Sequence, residues 1–129
     1  MSNLADQLAI RQLVAQYNRA FDYGDPEAWA ATFAADGTFS MGGKQLAAGR
    51  EALLAFARKM IPTMKVKHCT TDAIVEVEGD SASHDAYLIL VATGEKVSVV
   101  NSGRYLDRLV KENGAWKFKS RVVEIDGKM

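Results

Sequence analysis

At 129 residues, 48% hydrophobic and 25% charged, the chain has the composition of one globular domain, spanning 1–129, with enough length to bury a substantial core. Its 16 basic and 16 acidic residues cancel, so nothing in the charge attracts nucleic acid or an acidic membrane. A single cysteine, Cys69, excludes an internal disulfide and suits a reducing cytoplasm. "MSNLADQLAI" lacks the basic-then-apolar pattern of a secretory signal, and the longest apolar run, "AYLILVA" (86–92), is too short to span a bilayer.

Residues 4–23 read as an amphipathic helix. Ile10, Leu13, Val14, Tyr17, Ala20 and Phe21 recur at helical spacing and form one apolar stripe. Gly24 ends this helix, and Asp25-Pro26 starts another that runs to about residue 35. Asp25 suits the N-cap, and Pro26 suits the first helical position, where its missing N–H costs nothing.

"DGTFSMGG" (36–43) reads as a turn and short strand, and "KQLAAG" (44–49) as a second short strand. A third helix is expected from Arg50 to about Ile61, with Pro62 helping to stop it. Beyond residue 64 the pattern is sheet. Strands 65–78 and 81–94 meet at Gly79-Asp80, and strands 96–112 and 115–126 meet at Asn113-Gly114, the strongest hairpin signal in the chain. Helices first and long antiparallel strands after them argue for an α+β fold with the helices on one face of the sheet.

Few residues invite chemistry. The chain has no phosphate-binding glycine loop, and His68 and His84 are not at metal-ligand spacing with carboxylates, so no metal or other cofactor is expected. His68 and Cys69 are adjacent on a strand and point to opposite faces, which argues against a Cys–His nucleophile. His84, in the polar stretch "DSASHD" after a turn, reads as solvated surface.

Two aspartates flank Tyr23-Gly24. Asp25 has a complete structural role as a cap. Asp22 has none: it sits in the last turn of the first helix, where the macrodipole favours cations. Periodicity alone gives an exposed carboxylate at a helix end. His68, near the start of a long strand, can be packed, exposed or catalytic. A histidine oriented by a carboxylate is a standard proton-transfer device.

Three stretches resemble one family. "IRQLVAQYNRAFDYGDPEAWAATFAADGTF" resembles the opening of SnoaL-like domains of the nuclear transport factor 2-like superfamily. "KHCTTDAIVEVEGDSASHDAYLIL" resembles that family's histidine-bearing strand and hairpin, and "GRYLDRLVKENGAWKFKSRVV" its last hairpin. The resemblance implies a cone: a strongly curved, mainly antiparallel sheet wrapped around helices, with an apolar pocket inside. The branch it most resembles holds scytalone dehydratase and hexachlorocyclohexane dehydrochlorinase. There a sheet histidine abstracts a proton and an aspartate near the end of the first helix orients it. His68 and Asp22 are the matching positions.

The chain also departs from those enzymes. Tyr17 stands where the dehydrochlorinase has a lysine, and Phe21 where scytalone dehydratase has a tyrosine. Arg121 matches an arginine on the last strand of the dehydrochlorinase. Strict alternation places Arg121 on an exposed basic face with Lys117 and Lys119, whereas a bulge would turn it inward. Tyr105 and Asn101 share one face of their strand; Tyr105 lines the pocket or belongs to the core, and Asn101 lines the pocket or is a polar edge residue.

The resemblance thus implies a lyase or isomerase, without a cofactor, acting on a small hydrophobic molecule, with Asp22 and His68 as catalytic pair and Tyr17, Asn101, Tyr105 and Arg121 as binding residues. A non-catalytic binding module of the same fold is the alternative. A homodimer or homotrimer is expected, because Leu88 and Leu90 on one face of their strand are matched by Ile89 and Val91 on the other.

Overall fold

The computed structural model describes residues 3–127. Helix α1 spans Leu4–Asp22, α2 Pro26–Ala31 and α3 Arg50–Met60, followed by a single 3-10 turn over Ile61–Thr63. The strands are β1 Phe33–Met41, β2 Lys44–Ala48, β3 Val66–Glu78, β4 Ser81–Thr93, β5 Val97–Glu112 and β6 Ala115–Ile125. All six join one sheet in the order β2-β1-β6-β5-β4-β3. The β1–β6 pair is parallel and the others are antiparallel.

The turn between α1 and α2 gives the two aspartates different work. Gly24 takes a positive φ of 80°. With it in that conformation, the Gly24 N–H donates to the Phe21 carbonyl and the Asp25 N–H to the Ala20 carbonyl. This is the paired closure of a glycine-stopped helix. Asp25 Oδ1 then accepts from the Ala28 N–H at 3.0 Å, capping α2 behind Pro26. Asp22 takes no part in either closure and is free to reach elsewhere.

Helix α2 ends about four residues earlier than its sequence suggests. The Thr32 carbonyl accepts from the Phe118 N–H and the Phe33 carbonyl from Arg50, so the backbone here is committed to β6 and α3 rather than to another helical turn. Phe33 thereby enters the core beside Trp29 and Phe118, with ring centroids 4.9 and 5.5 Å away.

One face of the sheet covers the helices, and alternation sets that face. On β4 it presents Ala82, His84, Ala86, Leu88 and Leu90, all buried. On β5 it presents Tyr105, Asp107 and Leu109. Strand β6 changes phase. Leu109 pairs with Phe118 but Arg108 pairs with Ser120, so Lys119 is an extra residue. Trp116 and Phe118 are buried before the bulge, and Arg121 and Val123 after it. Further register shifts interrupt β3 at Asp72-Ala73, where Asp72 has a φ of 55°, and β5 at Val100. Bulges increase local twist and bend the sheet around α1.

Gly103 shows how closely the strands are drawn together. A Cβ there would lie 2.2 Å from the Glu124 carbonyl oxygen on β6. Gly103→Ala is therefore expected to lower stability by about 1–3 kcal/mol through strain, measured by urea unfolding. Asp25→Ala is expected to cost about 1 kcal/mol by removing the cap, while leaving ligand binding in the cavity unchanged.

Candidate active site

Asp22 and His68 meet where the end of α1 passes the start of β3. Asp22 Oδ1 lies 2.7 Å from His68 Nδ1, and Asp22 Oδ2 accepts from the His68 backbone N–H at 3.0 Å. One carboxylate thus holds both the ring and the backbone of the same residue. Only 6% of the Asp22 side chain and 10% of the His68 side chain reach solvent. A carboxylate can only accept, so the neutral ring carries its proton on Nδ1 and keeps a lone pair on Nε2. Phe21 packs edge-on against the imidazole, 4.9 Å between centroids. Phe21 and Asp22 are consecutive on α1, so one turn of helix supplies both the apolar wall and the charge.

His68 lines a cavity of about 110 Å³ between the helices and the sheet. Phe21, Phe39, Phe56, Leu88 and Leu90 give it an apolar surface, and Met41, Met60 and Met64 join them. On its other side His68, with Asp22, borders an open cleft lined by Arg11, Asn18, Arg19 and Lys67. The imidazole therefore stands between an apolar pocket and a more polar cleft.

Tyr17 and Tyr105 both line the cavity and are buried. Burial raises the pKa of each phenol, and for Tyr17 it outweighs the opposing pull of the Arg121 charge. Both hydroxyls keep their protons at neutral pH and are donors.

Arg121 lies behind these tyrosines rather than on the cavity wall. The bulge at Lys119 turns it inward, and it has no solvent exposure. Its guanidinium carbon sits 3.5 Å from the Tyr105 ring centroid, 4.2 Å from that of Tyr17 and 4.4 Å from that of Phe118. Its Nε donates to Asp107 Oδ1 at 3.0 Å. Asn101 shares the inner face but does not line the cavity. Its side-chain oxygen accepts from the Ser102 and Gly127 backbone N–H groups.

His84 corrects the sequence reading. It is not solvated: it is 2% exposed, and its Nδ1 lies 2.8 Å from Asp107 Oδ2. Strand β4 begins at Ser81, directly after the turn, so His84 shares the inward phase of Leu88 and Leu90. That phase was visible in the sequence, and the polar neighbours of His84 masked it. His84, Asp107 and Arg121 are direct cross-strand neighbours and form one polar row across three strands. Asp107, in the phase of Tyr105, was detectable by the same count. Trp29 and the three methionines carried no comparable signal, because only packing brings α2, the end of β1, the end of α3 and the segment before β3 onto the cavity.

Among the described residues, no group of three His, Cys, Asp or Glu side chains converges to hold a metal ion, and no helix is long and apolar enough to cross a membrane.

Comparison with known proteins places this geometry in a family. The SnoaL-like domain profile matches residues 2–122. No curated protein matches the chain. Among solved structures, a single-residue variant of Rv3472 from Mycobacterium tuberculosis, a protein of unknown function, is 31% identical, with a TM-score of 0.91 over 98% of this chain and 80% of that one. A protein of unknown function with a cystatin-like fold from Nostoc punctiforme is 30% identical, with a TM-score of 0.89 over 100% of this chain and 96% of that one. A Novosphingobium aromaticivorans protein, provisionally assigned as a scytalone dehydratase, is 25% identical, with a TM-score of 0.83 over 97% of this chain and 87% of that one. The chain belongs to the SnoaL-like domain family, with the α+β, cystatin-like fold that those structures share.

Proposed function

We propose that the chain is a lyase or isomerase that moves a proton on a small hydrophobic, ring-containing molecule, with His68 as base and Asp22 as its orienting partner. The single observation that supports this most is the 2.7 Å contact between Asp22 and His68 Nδ1 at the wall of an apolar cavity. Held this way, the ring offers Nε2 to the cavity contents, and the carboxylate stabilises the imidazolium once the proton arrives. The likeness to a provisionally assigned scytalone dehydratase points to the same chemistry.

The step balances with the chain's own groups. His68 Nε2 takes a proton from a carbon next to a carbonyl, and the C–H electron pair moves toward that carbonyl as an enolate. The Tyr17 hydroxyl, protonated because it is buried, donates to the oxygen on which charge develops. In a dehydration the pair then forms a C=C bond as the neighbouring C–O bond breaks. The departing hydroxide takes the proton held on His68 and leaves as water. In an isomerisation the same proton returns to a different carbon.

His68→Ala is expected to abolish exchange of the α-proton of a bound cyclic ketone with deuterated solvent, read by NMR, while leaving apolar binding largely intact. Asp22→Asn is expected to keep the fold and lower turnover about a hundredfold or more, because an amide can hold the ring in the wrong tautomer. Exchange unchanged in both variants would leave a binding module as the better reading.

The outer face of the sheet carries the exposed side chains Ile74, Tyr87, Val97 and Val99, and we propose that a second copy of the chain covers it. Light scattering at micromolar concentration is expected to give a dimer or trimer mass, and a monomer mass would exclude this.

A further inference from the structure

The seam between α1 and β3 carries positive charge that the fold does not neutralise. Arg11, Arg19 and Lys67 line the open cleft beside the Asp22–His68 pair, and all three are exposed. Six other lysine and arginine side chains among the described residues are ion-paired with carboxylates, Arg104 with Asp85 and Arg58 with Glu27 among them. None of the three cleft cations has a carboxylate at ion-pair distance among the described residues. The one carboxylate of the cleft, Asp22, already has both oxygens engaged, one by the His68 ring and one by the His68 backbone N–H. With that ring neutral, three positive charges against one negative leave a surplus of two. The last turn of α1 favours a cation at Arg19. That does not account for Arg11, two turns earlier, or for Lys67 on the facing strand.

The spacing of these cations sets the shape of what would neutralise them. Arg11, Ala15 and Arg19 recur at every fourth residue and so lie on one face of α1. The two arginines are separated by about 12 Å along the helix axis. Ala15 stands between them and Thr70 on β3 faces the same cleft, so short side chains leave its middle open. The cleft has a volume of about 330 Å³, at the lower end of the range for small-molecule sites. One compact anion resting against either arginine leaves the other unneutralised. Two anionic groups joined by a short chain reach both ends.

We propose that this cleft is a binding site for a short dicarboxylate, with one carboxylate at Arg11 and the other at Arg19 and Lys67. It is a site separate from the apolar pocket, with which it shares only His68 as a lining residue. The assignment goes beyond the proton-transfer reading and does not depend on it, because its test reads binding and needs no turnover.

The test titrates the full chain with glutarate, butyrate and inorganic phosphate at matched low ionic strength, where exposed charges are least screened. Binding is followed in ¹H–¹⁵N spectra, with the Trp116 indole as the reference signal. Glutarate is expected to bind with a Kd on the order of a millimolar and to move the Lys67 and Cys69 amide signals. Butyrate has one carboxylate on a similar chain, and phosphate packs its charge into one compact group. Each is expected to bind more weakly, by about threefold or more. Arg11→Gln, Arg19→Gln and Lys67→Gln are each expected to weaken glutarate about two- to fivefold, the effect of one exposed ion pair. Lys59→Gln, which removes an exposed and unpaired cation from α3, is expected to change nothing. The readout in the unaltered protein needs no variant to fold. Absence of saturable glutarate binding, butyrate or phosphate binding as tightly as glutarate, unchanged affinity in any of the three cleft variants, or an equal loss in Lys59→Gln would each overturn the proposal.

Discussion

A guanidinium without access to water sits beneath the cavity, and much of the interior is arranged around it. Removing such a charge from water costs several kcal/mol unless the surroundings replace what water gave. Asp107 supplies the counter-charge, and the faces of Tyr17, Tyr105 and Phe118 supply cation–π contact on the rest of the group. His84 occupies the second oxygen of Asp107, so the carboxylate is shared across three strands. The positions of Tyr17 and Tyr105 on the cavity wall follow from their contact with this cation. So does the bulge in β6, because without it the arginine would face the solvent side.

The Asp22–His68 pair is a lighter construction. It joins the end of a helix to the first turns of a strand, and both its hydrogen bonds converge on one carboxylate. It stands at the border of an apolar pocket and a more polar cleft. Tyr17 and Tyr105 lie on the pocket side. The polar groups are thus attached to different parts of the fold: His68 to the end of α1, the tyrosines to the buried cation.

Most of the scaffold was legible in the sequence because it is written in local chemistry. The stripe on α1, the Gly24 stop, the Asp25-Pro26 start and the Asn113-Gly114 hairpin each depend on a few consecutive residues. Asp22 and His68 were legible as a pair only through family likeness; periodicity alone reads Asp22 as an exposed carboxylate, and the structure buries it against His68. The early end of α2 was not legible, because it is set by hydrogen bonds from Phe118 and Arg50, distant in sequence. His84 was misread because its polar neighbours outweighed its phase. Asn101 had the right face for the pocket and the wrong position along the strand, a distinction that alternation does not contain.

The extra residue in β6 divides that strand into two reading frames. Before Lys119, even-numbered side chains point inward; after it, odd-numbered ones do. Closing the bulge with Lys119 kept in the ladder would put Ser120 inward, send Arg121 outward and re-address every side chain from there to Ile125. Deleting Lys119 would instead leave Phe118 and Arg121 facing the core by plain alternation. The inward position of the buried charge is therefore open to either of two strand lengths, one with the bulge and one a residue shorter without it.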